Sequence, residues 1–309
     1  MYVQVGIFKR SFDDEPVVYE CSLKVQLWSI VVVPYGSKLY LWVVVWLNYK
    51  PIDTSYIKKV DQVWYFESFL ARYQVEFIQF IAHQTICLYH NSLNLFFPRN
   101  LKEKIEKQKV KFESDEKKYL YNNPFVLSQA QQNVLKKLQT LSARAKLLYG
   151  ITGSWKTSIY VELIREQLAQ WHQSLLLVPE IILTSQTAQS IQKVFWDDVA
   201  IINSSVAEAQ KTKIWTSIYK WETKIVVGTR SALFYPYKNL SLIIMDEEHD
   251  RSYKSDVAPR YDARELVLYL WNKLGIQVVF WSGTPSVSMM YKAIQKEIEL
   301  VTLLEEYRK

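Results

Sequence analysis

The chain has 309 residues, of which 49% are hydrophobic, with a formal net charge of +7, a pI near 9.1 and two cysteines, Cys21 and Cys87. This length and apolar content suggest about two domains with packed cores and exclude a disordered chain, while two cysteines are too few for a disulfide framework or a four-cysteine zinc site and suit a reducing cytoplasm. A basic balance suits a polyanion such as nucleic acid, although it also describes an ordinary solvated surface.

The first residues, MYVQVGIFKRSFDDEP, lack a basic region followed by an apolar stretch of secretory length. The most apolar run, residues 39–47, is far shorter than the ~20 residues that cross a bilayer and reads as a strand. No membrane partner is expected. Runs 25–33 and 39–47, joined by the turn signal PYGSK at 34–38, predict strands, and a helical stretch is expected over 62–85. Residues 1–98 thus read as a small β-rich module. Residues 99–118 carry eight basic and five acidic side chains with almost no apolar pattern, so 99–124 is expected to be a charged linker or exposed helix. From residue 125 continuous apolar runs at 146–149, 174–178, 199–202, 224–227, 240–245 and 277–280 alternate with helical segments. Strands without two-residue alternation, separated by helices, predict an α/β, doubly wound parallel sheet.

Residues 147–160, LLYGITGSWKTSIY, place Gly150, Lys156 and Thr157 in the register of the phosphate loop G-x-x-x-x-G-K-[ST], with Trp155 where the second glycine belongs. Backbone N–H groups of Thr152, Gly153, Ser154 and residue 155 would cradle phosphates, Lys156 would neutralise the β and γ oxygens, and Thr157 would hold Mg²⁺. The run 240–245 ends in Asp246, Glu247, Glu248 and His249, carboxylates at the C-terminal end of a strand. There Asp246 would hold Mg²⁺, Glu247 would orient or deprotonate an attacking water, and His249 completes the box. VPE at 178–180, LTSQT from 183 and GTRSALF at 228–234 also follow strands, and the last offers Thr229, Arg230 and Ser231 to a nucleic-acid backbone. SGTP at 282–285 puts Ser282 and Thr284 where nucleotide state is coupled to a track.

Together these segments resemble superfamily 2 helicases. More closely, VPEI, GTRSALF, DEEHD, SYK at 252–254, PRY at 259–261 and TPS at 284–286 resemble the PriA family of replication-restart DNA helicases over residues 125–290. The resemblance implies a RecA-like ATP-binding lobe, with ATP and Mg²⁺ as cofactors and forked DNA as substrate. It also implies 3′-to-5′ helicase activity in primosome assembly, with other restart proteins and single-strand-binding protein as partners. By the same resemblance Tyr253, Lys254, Arg260 and Tyr261 would lie against single-stranded DNA, where aromatic faces and cations suit base stacking and phosphate contact. LSQAQ at 127–131 is similar to an element in which Gln131 would read adenine, and VVVPYG at 31–36 to part of a DNA 3′-end-binding domain. The family's winged-helix domain does not fit into 99–124. A second lobe, its arginine finger and a cysteine-rich zinc insertion would lie downstream of residue 309, so the chain is expected to be an inactive fragment with zinc only in the downstream part. Alternatives are a non-catalytic fork-binding protein, should Trp155 be genuine, and another superfamily 2 translocase such as a RecG-like enzyme.

Seven glycines against 11 tryptophans is an odd balance, since glycine is usually about 7% of a chain. Trp171 stands between a helix and a strand, where a C′ glycine commonly ends the helix. Trp196 and Trp221 precede strands, Trp28 and Trp42 flank the VPYG element where the family has glycine, and Trp281 replaces the first glycine of its G-S-A-T-P-S. With Trp46 and Trp155 these make eight tryptophans at expected glycine positions. A single codon would account for them all: UGA, read as tryptophan in some genetic codes and as glycine in others. Trp64, Trp215 and Trp271 fall at no such position.

Overall fold

The computed structural model describes residues 1–6, 16–65, 70–98, 126–140, 145–150, 156–180 and 186–303. The chain divides into two compact units, one formed by Met1–Phe112 with Val257–Tyr261, the other by Glu113–Asp256 with Asp262–Lys309. The charged segment 99–124 lies outside the described residues. No described helix is long and apolar enough to cross a membrane.

The first unit carries a six-stranded sheet built from β1 (Tyr2–Gly6), β2 (Val17–Glu20), β3 (Ile30–Tyr35), β4 (Lys38–Tyr49), β5 (Lys58–Lys59) and β6 (Gln62–Tyr65), in the order β5-β2-β1-β4-β3-β6. The PYGSK signal closes the β3–β4 hairpin, in which Tyr35 faces Lys38 and Gly36, with φ of 62°, takes the left-handed conformation that a two-residue loop requires. Alternate residues Val31 and Val33, Trp42 and Val44, Val3 and Val5 bury one face of the sheet. The helical stretch expected from residue 62 begins later. Gln62–Tyr65 pairs with β3, because a β-branched and aromatic run fits a pleated surface, and α1 spans Arg72–Thr85, followed by α2 (Tyr89–Leu95).

The second unit is the α/β body. Seven strands, β7 (Lys146–Gly150), β8 (Gln173–Leu177), β9 (Val199–Ile202), β10 (Ile225–Gly228), β11 (Leu240–Met245), β12 (Gln277–Ser282) and β13 (Glu299–Leu303), run in the order β13-β7-β12-β11-β8-β10-β9. Every pairing between them is parallel. All residues of β8 and β10 are buried, which is why their sequences show no alternation. The six strands expected from the apolar runs are present. The seventh, β13, was not expected: it is an edge strand whose buried Val301 and Leu303 alternate with more exposed residues. Around the sheet run α3 (Gln129–Gln139), α4 (Lys156–Ala169), α5 (Gln186–Phe195), α6 (Glu208–Tyr219), α7 (Ala263–Leu274) and α8 (Val287–Ile294). Local chemistry sets several ends: Asp262 accepts from the Arg264 N–H to start α7, Gly275 at φ 65° ends it, and Ser286 accepts from the Met289 N–H to start α8. Because all strands run one way, Gly150, Leu177, Gly228, Met245 and Ser282 finish at the same edge of the sheet, where α/β folds bind ligands.

Eight described non-glycine residues have positive φ: Trp28 (67°), Asn48 (54°), Ile86 (47°), Trp171 (61°), Trp196 (48°), Trp221 (65°), Glu247 (46°) and Lys296 (60°). For an L-residue other than asparagine or aspartate this conformation costs about 1–2 kcal/mol, because Cβ crowds the following carbonyl.

Candidate functional site

Lys156 opens α4 directly after the phosphate-loop segment, and its ammonium reaches the end of β11, 90 residues on, where Nζ donates to Asp246 Oδ1 at 2.6 Å and also to the Glu247 carboxylate. Asp246 is fully buried, and a buried carboxylate is tolerable only with partners. It has the Lys156 ammonium, the Tyr160 hydroxyl donating at 3.0 Å from the next turn of α4, and its own N–H tied to the Leu177 carbonyl at 2.9 Å. Burial pushes the Asp246 carboxyl above the usual carboxylate range, an effect that Lys156 partly offsets. Burial also raises the Tyr160 phenol, helped by the neighbouring Asp246 charge, so the phenol stays a donor. Asp246 Oδ2, also buried, has no hydrogen-bond partner. A buried charged oxygen without a partner is rare and calls for an occupant. The Asp246 and Glu247 carboxylates, both held by Lys156, supply hard oxygen donors of the kind that Mg²⁺ takes.

The sequence reading missed Tyr160, which lies four residues after Lys156 and so on the same face of α4. Tyr160→Phe is expected to weaken Mg²⁺-nucleotide binding about 3- to 10-fold, matching the ~1 kcal/mol of one hydrogen bond, with α4 still folded by circular dichroism. Unchanged affinity would mean that the hydroxyl does not position Asp246.

The remainder of the DEEH box faces β12. His249 Nδ1 lies 2.7 Å from Ser282 Oγ and 3.7 Å from Glu247 Oε2, while Ser282 Oγ also accepts from the Thr284 N–H at 3.0 Å. Ser282 is buried and Thr284 exposed, so the two residues expected to couple nucleotide and track are joined to the box through one hydroxyl. Glu248 was also missed. It is fully buried, with Oε1 accepting from the Ser286 N–H at 2.6 Å and Oε2 from the Ser286 hydroxyl at 2.9 Å. Its carbonyl accepts from Arg264 Nη1 at 2.8 Å, and its N–H donates to the Trp281 carbonyl. Glu248 therefore pins the start of α8 to the box. The signal available was the serine at 286, two residues after Thr284 and directly before a helix.

Thr152, Gly153, Ser154 and Trp155 lie outside the described residues. Gly150 ends β7: a Cβ there would come within 2.8 Å of the Trp281 indole and 3.1 Å of the Leu303 carbonyl, so only glycine fits. Gln131 is buried and occupied. Its Oε1 accepts from the Ser128 N–H at 2.8 Å and its Nε2 donates to Ser158 Oγ at 3.3 Å, while the Ser128 hydroxyl accepts the Gln131 N–H. This is a capping box for α3, and reading adenine would require Gln131 to give up both contacts.

Of the residues expected on DNA, Thr229 is buried at the end of β10, with Oγ1 3.4 Å from the exposed Ser231 hydroxyl. Arg230 donates to the carbonyls of Ser252 and, at 2.6 Å, Lys254, so it props the segment after the DEEH box. The expectation for Tyr253 needs correction. The ring is fully buried, with its hydroxyl on the carbonyls of Leu177 at 3.1 Å and Asp246 at 2.5 Å, and no face is left for a base to stack on. Lys254 is exposed, with Nζ 3.8 Å from Asp262 Oδ2. Arg260 and Tyr261 belong to the segment grouped with the first unit, where Arg260 is exposed and Tyr261 only 6% so. Tyr261, like Tyr253, presents no open ring.

Comparison with known proteins shows what the chain is similar to. Residues 128–292 match the DEAD/DEAH box helicase family, and residues 9–98 match a 3′ DNA-binding domain described from PriA. The chain is 39% identical over 293 residues to the replication restart protein PriA of Helicobacter pylori (strain ATCC 700392 / 26695), covering 94% of this chain and 44% of that protein. With the replication restart protein PriA of Rickettsia felis (strain ATCC VR-1525 / URRWXCal2) it shares 33% over 291 residues, 93% of this chain and 43% of that protein. The chain thus spans less than half the length of these curated relatives. Among solved structures, the helicase domain of Pyrococcus furiosus Hef aligns with a TM-score of 0.43 and 18% identity, over 57% of this chain and 38% of that one.

Proposed function

Because the chain belongs to the DEAD/DEAH box helicase family, we propose that it binds ATP with Mg²⁺ at the C-terminal edge of the seven-stranded sheet. On this reading it uses ATP hydrolysis for 3′-to-5′ helicase work on forked DNA in replication restart. The observation that carries the reading is the buried Asp246 carboxylate, braced by Lys156 and Tyr160 with one oxygen lacking a partner. Thr157 and Asp246 would hold Mg²⁺, which supplies charge neutralisation between phosphate oxygens. Lys156 would exchange its contact with Glu247 for one with the phosphates. Glu247, so released, orients or deprotonates the attacking water. His249 and Ser282 pass the change to the segment that ends in Ser286.

The similarity of residues 9–98 to a 3′ DNA-binding domain and the names of the relatives support DNA, and a fork with a 3′ end, as the substrate. Other primosome proteins and single-strand-binding protein as partners, and the cytoplasm as location, belong to the same proposal. Lys254 and Arg260, both exposed, are the expected phosphate contacts. Lys254→Ala and Arg260→Ala, made separately, should each lower the slope of log K against log salt for a single-stranded oligonucleotide by about 1, measured by fluorescence anisotropy. A slope that does not move would remove that residue from the track.

The nucleotide reading is tested on the chain with Trp155→Gly, which restores the loop pattern. A fluorescent ATP analogue with Mg²⁺ should bind that chain, and Lys156→Ala on the same background should weaken it at least about 30-fold, corresponding to the loss of a charged contact worth about 2 kcal/mol or more. No binding to the first chain, or equal binding to both, overturns the reading.

A further inference from the structure

We propose that residues 28, 171, 196 and 221 are glycine in the protein that folds in the cell, and that the tryptophans of this sequence at those positions come from one codon read in the wrong code. Backbone geometry carries the inference. In Trp171 and Trp221 the left-handed residue sits at the C′ position of a complete Schellman ending. The Trp171 N–H donates to the Leu168 carbonyl and the His172 N–H to Gln167, while the Trp221 N–H donates to Ile218 and the Glu222 N–H to Ser217. Trp28 is the third residue of the turn closed by the Ser29 N–H on the Gln26 carbonyl, the position where positive φ selects glycine. Trp196 follows α5 directly with φ of 48°. Glycine does these two jobs elsewhere in the chain, Gly36 in a hairpin turn and Gly275 at the end of α7.

The side chains point the same way. Trp28 is fully buried with its indole N–H lacking an acceptor, the Trp221 indole N–H lacks one too, and Trp196 is 74% exposed. Four of the eight left-handed non-glycine residues are therefore tryptophan, a residue that makes up 11 of the 309. The others are one each of asparagine, isoleucine, glutamate and lysine, of which Ile86 ends α1 and Lys296 ends α8 as Trp171 ends α4. Trp64, Trp215 and Trp271, which stand at no expected glycine position, are absent from the left-handed set, and Trp215 is a core residue stacked on Tyr219 at 5.6 Å. The tryptophans thus fall into two populations. Trp42, Trp46 and Trp281 lie in strands and carry no backbone argument. Trp155 joins the set only through the phosphate-loop pattern, so that part rests on the nucleotide reading above, whereas the four turn and helix-end positions do not.

The experiment reads the codons and the native protein. UGA is expected at 28, 171, 196 and 221, with UGG at 64, 215 and 271, and UGG at any of the first four overturns the proposal. In native protein the tryptic peptide 25–38 should have the mass of glycine at 28, and peptide 147–156 that of glycine at 155; a tryptophan mass for 25–38 overturns it independently. Glycine at 28 together with tryptophan at 155 keeps the backbone inference and removes the loop from it. Glycine at both with no ATP binding sinks the nucleotide reading and leaves this one standing. In the recombinant chain, Trp196→Gly, at an exposed position where no packing is lost, should raise the folded-to-unfolded ratio by about fivefold in urea titrations, since it relieves ~1–2 kcal/mol of left-handed strain. A fall there overturns it.

Discussion

Asp246→Asn is expected to lower Mg²⁺-dependent nucleotide affinity by about 100-fold or more on the Trp155→Gly background, since even the outer partners of metal ligands are worth 10- to 100-fold. The amide keeps the shape and the contact with Tyr160, but it removes the charge and sets an N–H₂ group where a hard oxygen is needed. The same substitution should leave folding stability within about 1 kcal/mol, because burial already disfavours the charged form and Oδ2 has no partner to lose. Lys156 keeps Glu247 as a counter-charge. Isothermal titration and urea unfolding of the same variant separate the two effects. A loss of binding accompanied by an equal loss of stability would make Asp246 a structural residue.

Glu248→Ala should behave in the opposite way, destabilising the second unit by about 2–5 kcal/mol, the scale for leaving two hydrogen-bond donors without their acceptor. Ser286 loses acceptors for both its N–H and its hydroxyl, and α8 loses its anchor to the box. Against total stabilities of about 5–15 kcal/mol this is a large fraction, visible as a marked drop in the urea midpoint. Glu248→Gln keeps the volume and one acceptor for the Ser286 N–H, and should cost only about 1–2 kcal/mol. If alanine and glutamine are equally mild, the contact with Ser286 does not hold α8.

The range of each interaction separates the features that this sequence determines from those it leaves to the fold. The six apolar runs 146–149, 174–178, 199–202, 224–227, 240–245 and 277–280 became strands because strands of a parallel sheet covered on both faces cannot alternate. Lys156, Asp246, Glu247, His249 and Ser282 were legible because each lies at or soon after the end of a strand, and parallel strands bring their C-terminal ends to one edge. Trp171, Trp196 and Trp221 stood out in the sequence as positions that favour glycine because helix ends and tight turns make local demands on φ, whereas Trp28 stood out only through the family resemblance. Tertiary structure decided the rest. The ring of Tyr253 was expected on DNA and is instead buried under the DEEH turn, since a hydroxyl that reaches the carbonyls of Leu177 and Asp246 ties two strand ends together. Arg230 props a loop, and β13 pairs along β7. Glu248 and Tyr160 owe their roles to partners 38 and 86 residues away, which the chain brings to them only when the sheet has formed.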